Sequence, residues 1–327
     1  MTNRLPLAII AAIFLFVTAV RASEKPDPNL LVKSANENSD LAKIVPHQFT
    51  GTVVLNPGAR NESVGKITVY RDQDRYRTDI ELAGQRHTRL IAGSKLYISN
   101  SSPIAFFGLE KLNDMENAWR EREVGNGKMK YAGMARKKVL GMDAWCVNAN
   151  YQDSDSLRLC FDATSQLMIS TSYPNDSYEF SDFQEIDGQH YPGRIRRIKQ
   201  GRDVLEVRDL KVQPGPVPQN AFEIPQGARE YETCDNIVPF KQISSPALFP
   251  HASFKSREST KIFIYGIVGA DGSFDPVQVT SIPRSPELIK LVEDGARKRR
   301  YSPAMCGTKP VAAEIHIEIE TATPILR

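Results

Sequence analysis

The sequence predicts a mainly β protein with an α+β tail: an antiparallel, half-barrel-like sheet with a helical lid, followed by a small α+β domain. Between residues 49 and 212, short runs of alternating apolar and polar residues are separated by Gly, Asn, Asp and Pro. That is the pattern of strands joined by tight turns. After residue 260 it gives way to two β-branched runs, one run of helical period and a final alternating run. About ten antiparallel strands with short connections make a meander, and a sheet that long curls and needs a cover on its concave face.

The chain opens on Met1-Thr2-Asn3-Arg4, passes through an apolar run at 5–20, and closes it with Val20-Arg21-Ala22 before Ser23-Glu24-Lys25-Pro26. A basic start, an apolar middle and small residues before the break are the anatomy of a secretory signal peptide, with cleavage expected between Ala22 and Ser23. An uncleaved anchor is the alternative, against which the run of about 16 apolar residues falls short of the roughly 20 that span a bilayer. Removing Arg4 and Arg21 from the 42 basic residues leaves 40 against 39 acidic ones, a net of +1. Such a balance gives no electrostatic case for nucleic acid. The length sets a prior of about two domains. The expected division is a signal peptide over 1–22, a β module over 28–228, a linker over 229–240 and a second domain over 241–327.

Asp27 and Pro28 supply a cap and a first-turn proline for a helix over 30–45, which Pro46 ends. Strands are expected at 49–55, 65–70 and 76–82, then at 88–92 and 95–99 around the hairpin signal Gly93-Ser94. Leu109, Leu112, Met115 and Trp119 recur at helical spacing and predict a helix over 109–119. The connection before it, with Ile104, Ala105, Phe106 and Phe107, is unusually apolar. Strands resume at 130–136, 138–151, 157–162, 167–172, 178–186, 191–199 and 204–212, and Pro214-Gly215-Pro216-Val217-Pro218 closes the module. Beyond it, strands at 261–268 and 276–281 flank the turn Ala270-Asp271-Gly272-Ser273. A helix starts at Ser285-Pro286-Glu287, with Leu288, Leu291, Val292 and Ala296 on one face. A last strand over 313–321 places Ile315, Ile317 and Ile319 on one side and Glu314, His316, Glu318 and Glu320 on the other.

The four cysteines, Cys146, Cys160, Cys234 and Cys306, read as two disulfides in an oxidising compartment, with three connectivities available. Cys146 and Cys160 are centred on Asp153 in the turn between two consecutive strands, so they can face each other, which leaves Cys234 for Cys306. Free buried thiols are the alternative. No Gly-x-Ser-x-Gly elbow occurs, and no histidine stands beside a nucleophile. Residues 268–272 lack the Gly-Lys-Ser/Thr of a phosphate loop, and Asp153-Ser154-Asp155 lacks the glycine and closing glutamate of a calcium loop. Arg194, Arg196, Arg197 and Lys199 read as a solvated strand, and Arg297-Lys298-Arg299-Arg300 as the last turn of a helix, where cations suit the dipole. No catalytic, cofactor-binding or metal-ligating residue is expected.

Phe49-Thr50-Gly51-Thr52-Val53, Asp74-Arg75-Tyr76-Arg77-Thr78-Asp79 and Leu90-Ile91-Ala92-Gly93, ahead of a long run of strands and a lid helix, resemble the LolA-like family of periplasmic carriers. The resemblance implies a half-open barrel around an apolar cavity that holds acyl chains or other apolar groups. Phe106, Phe107, Leu112, Met115 and Trp119 are the expected lining. The later order of strand, Asp271-Gly272 turn, strand, helix, Tyr301-x-Pro303-Ala304, Gly307-x-x-Pro310-Val311 and last strand resembles the TonB carboxy-terminal domain family. That resemblance implies docking to an outer-membrane transporter, or another envelope protein, through strand addition. The expectation is an exported periplasmic binding or adaptor protein without enzyme activity or cofactor, an apolar-ligand module fused to a partner-docking module. The alternative is an energy-transducer subunit anchored in the inner membrane.

Overall fold

A computed structural model describes residues 25–60, 62–82, 84–100, 118–120, 129–151, 156–234, 237–244, 260–282 and 285–321. The expected signal peptide, with its Ala22-Ser23 cleavage site, and the expected helix up to residue 117 lie outside the described residues.

Asp27 caps the first helix, α1 (Pro28–Glu37): its Oδ1 accepts from the N–H of Asn29 at 2.7 Å and of Leu30 at 3.1 Å. Proline at the first helical position forfeits nothing there, because that N–H has no partner inside the helix. The helix is shorter than the expected 30–45. It stops where Asn36, Asn38, Ser39 and Asp40 offer side chains that compete for the backbone, and a single 3₁₀ turn, Leu41–Lys43, replaces the rest.

Thirteen antiparallel strands then form one sheet. The first run is β1 (His47–Leu55), β2 (Ser63–Asp72), β3 (Arg75–Leu82), β4 (Gln85–Ala92) and β5 (Lys95–Asn100). The second is β6 (Met129–Val139), β7 (Met142–Tyr151), β8 (Ser156–Asp162), β9 (Met168–Tyr173), β10 (Asp176–Ile186), β11 (Gln189–Lys199) and β12 (Arg202–Pro214), and β13 (Arg229–Glu232) completes it. The order across the sheet is β13-β5-β4-β3-β2-β1-β12-β11-β10-β9-β8-β7-β6. This is not the single meander expected. It is two meanders zipped together where β1 pairs β12, from His47 opposite Pro214 to Leu55 opposite Leu205. β13 and β6 stand at the two ends of the sheet and, among the described residues, do not pair with each other, so the half-barrel stays open.

Two boundaries differ from expectation for local reasons. The strand expected at 138–151 is broken by a hairpin at Leu140 and Gly141, whose φ values of 51° and 79° are both left-handed. A two-residue hairpin needs that conformation twice, and only Gly141 announces it. Part of the expected linker, 229–232, adds a strand to the large sheet, with Glu230 opposite Tyr97.

The second unit consists of β14 (Ile237–Val238), β15 (Lys241–Ser244), β16 (Thr260–Val268), β17 (Phe274–Ile282), α2 (Pro286–Ala296), β18 (Arg300–Ser302), β19 (Ala304–Cys306), β20 (Lys309–Val311) and β21 (Ala313–Thr321). Its main sheet has the order β17-β16-β21. The Ser285 Oγ accepts from the Leu288 N–H and starts α2, which buries Leu288, Val292 and Ala296 against Ile262, Ile264 and Val279. Gly272 sits in the β16–β17 turn at φ +75°, where a Cβ would stand 2.1 Å from the Tyr301 carbonyl oxygen. Only glycine meets both demands. α2 ends at Ala296, so Arg297-Lys298-Arg299-Arg300 follows the helix instead of forming its last turn. Arg297 pairs instead with Asp275 at 3.2 Å.

Candidate functional site: the covered concave face

Residues directly opposite in neighbouring strands share a face. One such row runs Phe49, Val69, Thr78, Arg89, Ile98 and Arg229 from β1 to β13. The row of Ile67, Ile80 and His87 lies parallel to it. Past the β1–β12 zip, Val207, Ile195, Phe180, Leu159, Phe161 and Val147 continue the same apolar core. The inner surface of the open sheet is therefore apolar along β1, β2 and the second meander and carries His87, Arg89 and Arg229 toward β13, and it is covered in separate pieces.

The first cover is α1 with the turn after it, through Leu31, Val32, Ala35, Leu41 and Ile44. Trp119 joins the same cluster and is 1% exposed. It is held there by its neighbour. The Arg120 Nη1 donates to Asp40 Oδ1 at 2.7 Å, and the Asp40 N–H donates to Gln189 Oε1 at 2.9 Å. Of the expected lining, Trp119 is thus inside the core. Phe106, Phe107, Leu112 and Met115 lie outside the described residues.

The second cover lies at the β4–β5 end and comes from the other unit. Phe263, Tyr265 and Ile267 of β16 pack on Leu96 and Ile98, with Ile91 and Tyr231 at the margin. The side of β21 that alternation marks as polar faces the same junction. Glu314 accepts from Arg89 Nε at 2.9 Å and from the Tyr265 hydroxyl at 2.9 Å. The Tyr265 ring stacks on His316 at 4.8 Å between centroids and meets His87 edge-on at 6.4 Å. Burial works to raise the Glu314 carboxyl, but the Arg89 guanidinium outweighs it and holds the group below its ordinary value. Arg89 answers in kind: burial lowers it, Glu314 raises it further, and its proton is held more tightly than usual. Burial, with Glu314 beside it, pushes the Tyr265 phenol well above its ordinary value.

More bonds tie the units together at the rim. Cys234 is joined to Cys306, Lys309 pairs with Glu232 at 2.7 Å, and Arg229 pairs with Asp275 at 2.9 Å. On the outer face of the large sheet, Arg77 donates to the carbonyls of Ala221 at 3.0 Å and Glu223 at 3.3 Å, fastening the chain that leads out of β12. The other disulfide, Cys146–Cys160, bridges directly opposed residues of β7 and β8. It lies among Ala144, Ile169 and Phe183, whereas Trp145, Val147 and Leu159 belong to the large apolar core.

β11 departs from a plainly solvated strand. Arg194 pairs with Glu206 at 2.5 Å, Arg196 with Glu179 at 2.9 Å and Asp203 at 2.8 Å, and Arg197 with Asp176 at 2.6 Å. An open polar groove over Asp182, Gln184, Gly193, Arg194, Glu206, Arg208 and Asp209 lies beside this ladder. Among the described residues no group of three His, Cys, Asp or Glu side chains is placed to hold a metal ion.

Sequence reasoning missed Arg89, Tyr265, Glu314 and His87. One signal for them was present. Residues 262–268, Ile-Phe-Ile-Tyr-Gly-Ile-Val, are apolar on both faces, as a strand buried on both sides requires. A sheet with α2 on one face and solvent on the other would not need Phe263 and Ile267.

No family model and no curated protein matches the chain. Solved structures do match. The fold is similar to that of a LolA superfamily protein from Nitrosomonas europaea, at 13% identity and TM-score 0.38, over 58% of this chain and 96% of that one. It is similar to a putative outer membrane lipoprotein-sorting protein domain from Vibrio parahaemolyticus, at 12% identity and TM-score 0.39, over 58% and 92%. The MucA/MucB complex of Pseudomonas aeruginosa matches at 12% identity and TM-score 0.28, over 75% and 81%. At these identities and scores no residue's role is carried from those proteins to this one.

Proposed function

We propose that this is an exported cell-envelope binding protein that holds an apolar ligand on the inner face of its open sheet. One observation carries the reading. The inner face is covered by separate pieces, α1, Trp119 and the second unit's sheet, where strand pairing could have closed a barrel. At the α1 end that cover rests mainly on apolar packing, and such a cover can move at far lower cost than a closed ladder of hydrogen bonds. Two disulfides suit an oxidising compartment, in keeping with export. An acyl chain is a fitting occupant, since each methylene taken from water contributes about 0.8 kcal/mol.

The second unit is read as an adaptor of the TonB carboxy-terminal type. Its β17 and β21 stand at the two edges of their sheet, and strand addition to such an edge is how an envelope partner would dock. The disulfide and the Arg89–Glu314 pair hold that unit against the first, which favours an adaptor over a transducer domain swinging on a rod. Native mass spectrometry and lipid extraction of protein purified from the cell envelope test the ligand. A co-purifying lipid, or a saturable change in tryptophan fluorescence with fatty acyl compounds, is the expected result. Absence of both removes the binding reading and leaves a closed scaffold.

A further inference from the structure

Trp119 carries a hydrogen-bond donor into an apolar core. Its side chain is 1% exposed and shares a cluster with Phe49, Ile67, Phe161 and Phe180, yet among the described residues its indole Nε1 has no hydrogen-bond partner. An unpaired buried donor is destabilising, and a buried tryptophan normally stands where its N–H reaches an acceptor. A phenylalanine would fill apolar space without that cost. The position is also fixed from outside, by the ion pair of Arg120 with Asp40 and the bond from Asp40 to Gln189. The side chain is therefore held at a place where its polar atom is unused.

We infer that the Trp119 N–H is the group that reads the polar end of the bound ligand, and that this ligand is a neutral fatty-acyl ester and not a free fatty acid. The inference rests on the binding function proposed above and specifies its chemistry. A carboxylate brought into this core would need a compensating cation. The guanidinium beside Trp119 in the chain, that of Arg120, is already engaged by Asp40 at 2.7 Å. An ester carbonyl has no charge to neutralise, and one N–H satisfies it. Trp119 thus acts as a specificity-determining residue: the apolar face supplies affinity for the chain, and the indole selects among chains by what they carry at the end.

The test uses the full chain with its two tryptophans labelled at the indole nitrogen, titrated with methyl laurate, lauric acid and dodecane. The Trp119 indole resonance is identified by its loss in Trp119→Phe. It is expected to move downfield on adding methyl laurate and to hold its place with dodecane. Trp119→Phe is expected to weaken methyl laurate about tenfold more than it weakens dodecane, the scale of one lost hydrogen bond. Equal affinity of both proteins for methyl laurate, with an unmoved indole signal, overturns the inference and leaves the binding function standing. Tighter binding of lauric acid than of methyl laurate at pH 8 overturns the preference for a neutral acceptor. Failure of the wild-type protein to take up any of the three overturns the binding function and the inference together. If Trp119→Phe does not fold, the indole shift in the wild-type protein, assigned through Trp145→Phe, decides alone.

Discussion

The two ends of the inner face are covered by opposite means. Over β1, β2 and β3 and the second meander the cover is mainly apolar: Leu31, Val32 and Ala35 of α1 lie on the sheet, with the Asp27 cap, the Arg120–Asp40 pair and the hydrogen bonds joining Asn38 and Asp40 to β11 at its margin. Over β4 and β5 the cover is a second sheet fixed by a buried charge pair, a disulfide and rim ion pairs. Apolar contacts are non-directional and tolerate small displacements. A buried charge pair tolerates none, because a displaced partner leaves an uncompensated charge. The contrast assigns mobility to the α1 end and register to the β4–β5 end.

Breaking the fixed end should have the largest effect. Replacing Cys234 and Cys306 by serine opens a cross-link of 72 residues' separation, worth about 4 kcal/mol on the chain-entropy model. Urea unfolding should show it, and hydrogen exchange should rise first in β16 and β21. A loss under about 1 kcal/mol, or exchange rising only in α1, would reverse the assignment of the two ends. Glu314→Leu strands Arg89 and should cost about 3 kcal/mol, while Arg89→Met combined with Glu314→Leu should recover most of it. If the double variant is no better than the single one, the pair is not what holds the junction.

The pH dependence sharpens the same point. The Glu314 carboxyl is held below its ordinary value in the folded chain, so its contribution is complete above the unfolded value and lost as pH falls through the folded one. Stability should therefore drop in the acid range, below about pH 4. Glu314→Leu should flatten that part of the curve, and an unchanged acid limb would remove Glu314 from the account. At the mobile end, Asp27→Ala removes the α1 cap and should cost about 1 kcal/mol. It is expected to speed exchange in α1 without altering β16. A matching rise in β16 would mean that the two covers move as one.

Much of this architecture is legible in the chain. The cap at Asp27-Pro28, the start of α2 at Ser285-Pro286, and most strands stand where period and turn residues put them. So does the opposition of Cys146 and Cys160, because a hairpin's register follows from its own turn. What escapes is non-local. Nothing near His47 or Pro214 says that β1 and β12 will pair across about 160 residues of chain. Glu314 alternates with isoleucines as any solvated strand residue would, and only the partner surface turns it inward. Leu140 was missed because a left-handed leucine has no composition signal beyond the glycine after it.

The β1–β12 zip also bears on the order in which the molecule can form. β2 gives β1 one partner almost at once, but the other side of β1 has no partner until residues 202–214 arrive. For that interval the first meander carries an open inner edge, with Phe49, Gly51 and Val53 beside it, at what will be the middle of the sheet. An unpaired edge of that kind invites pairing with another chain. The middle of the finished sheet is thus completed late, with only β13 still to come, and the two meanders become one body only when the second has been made in full.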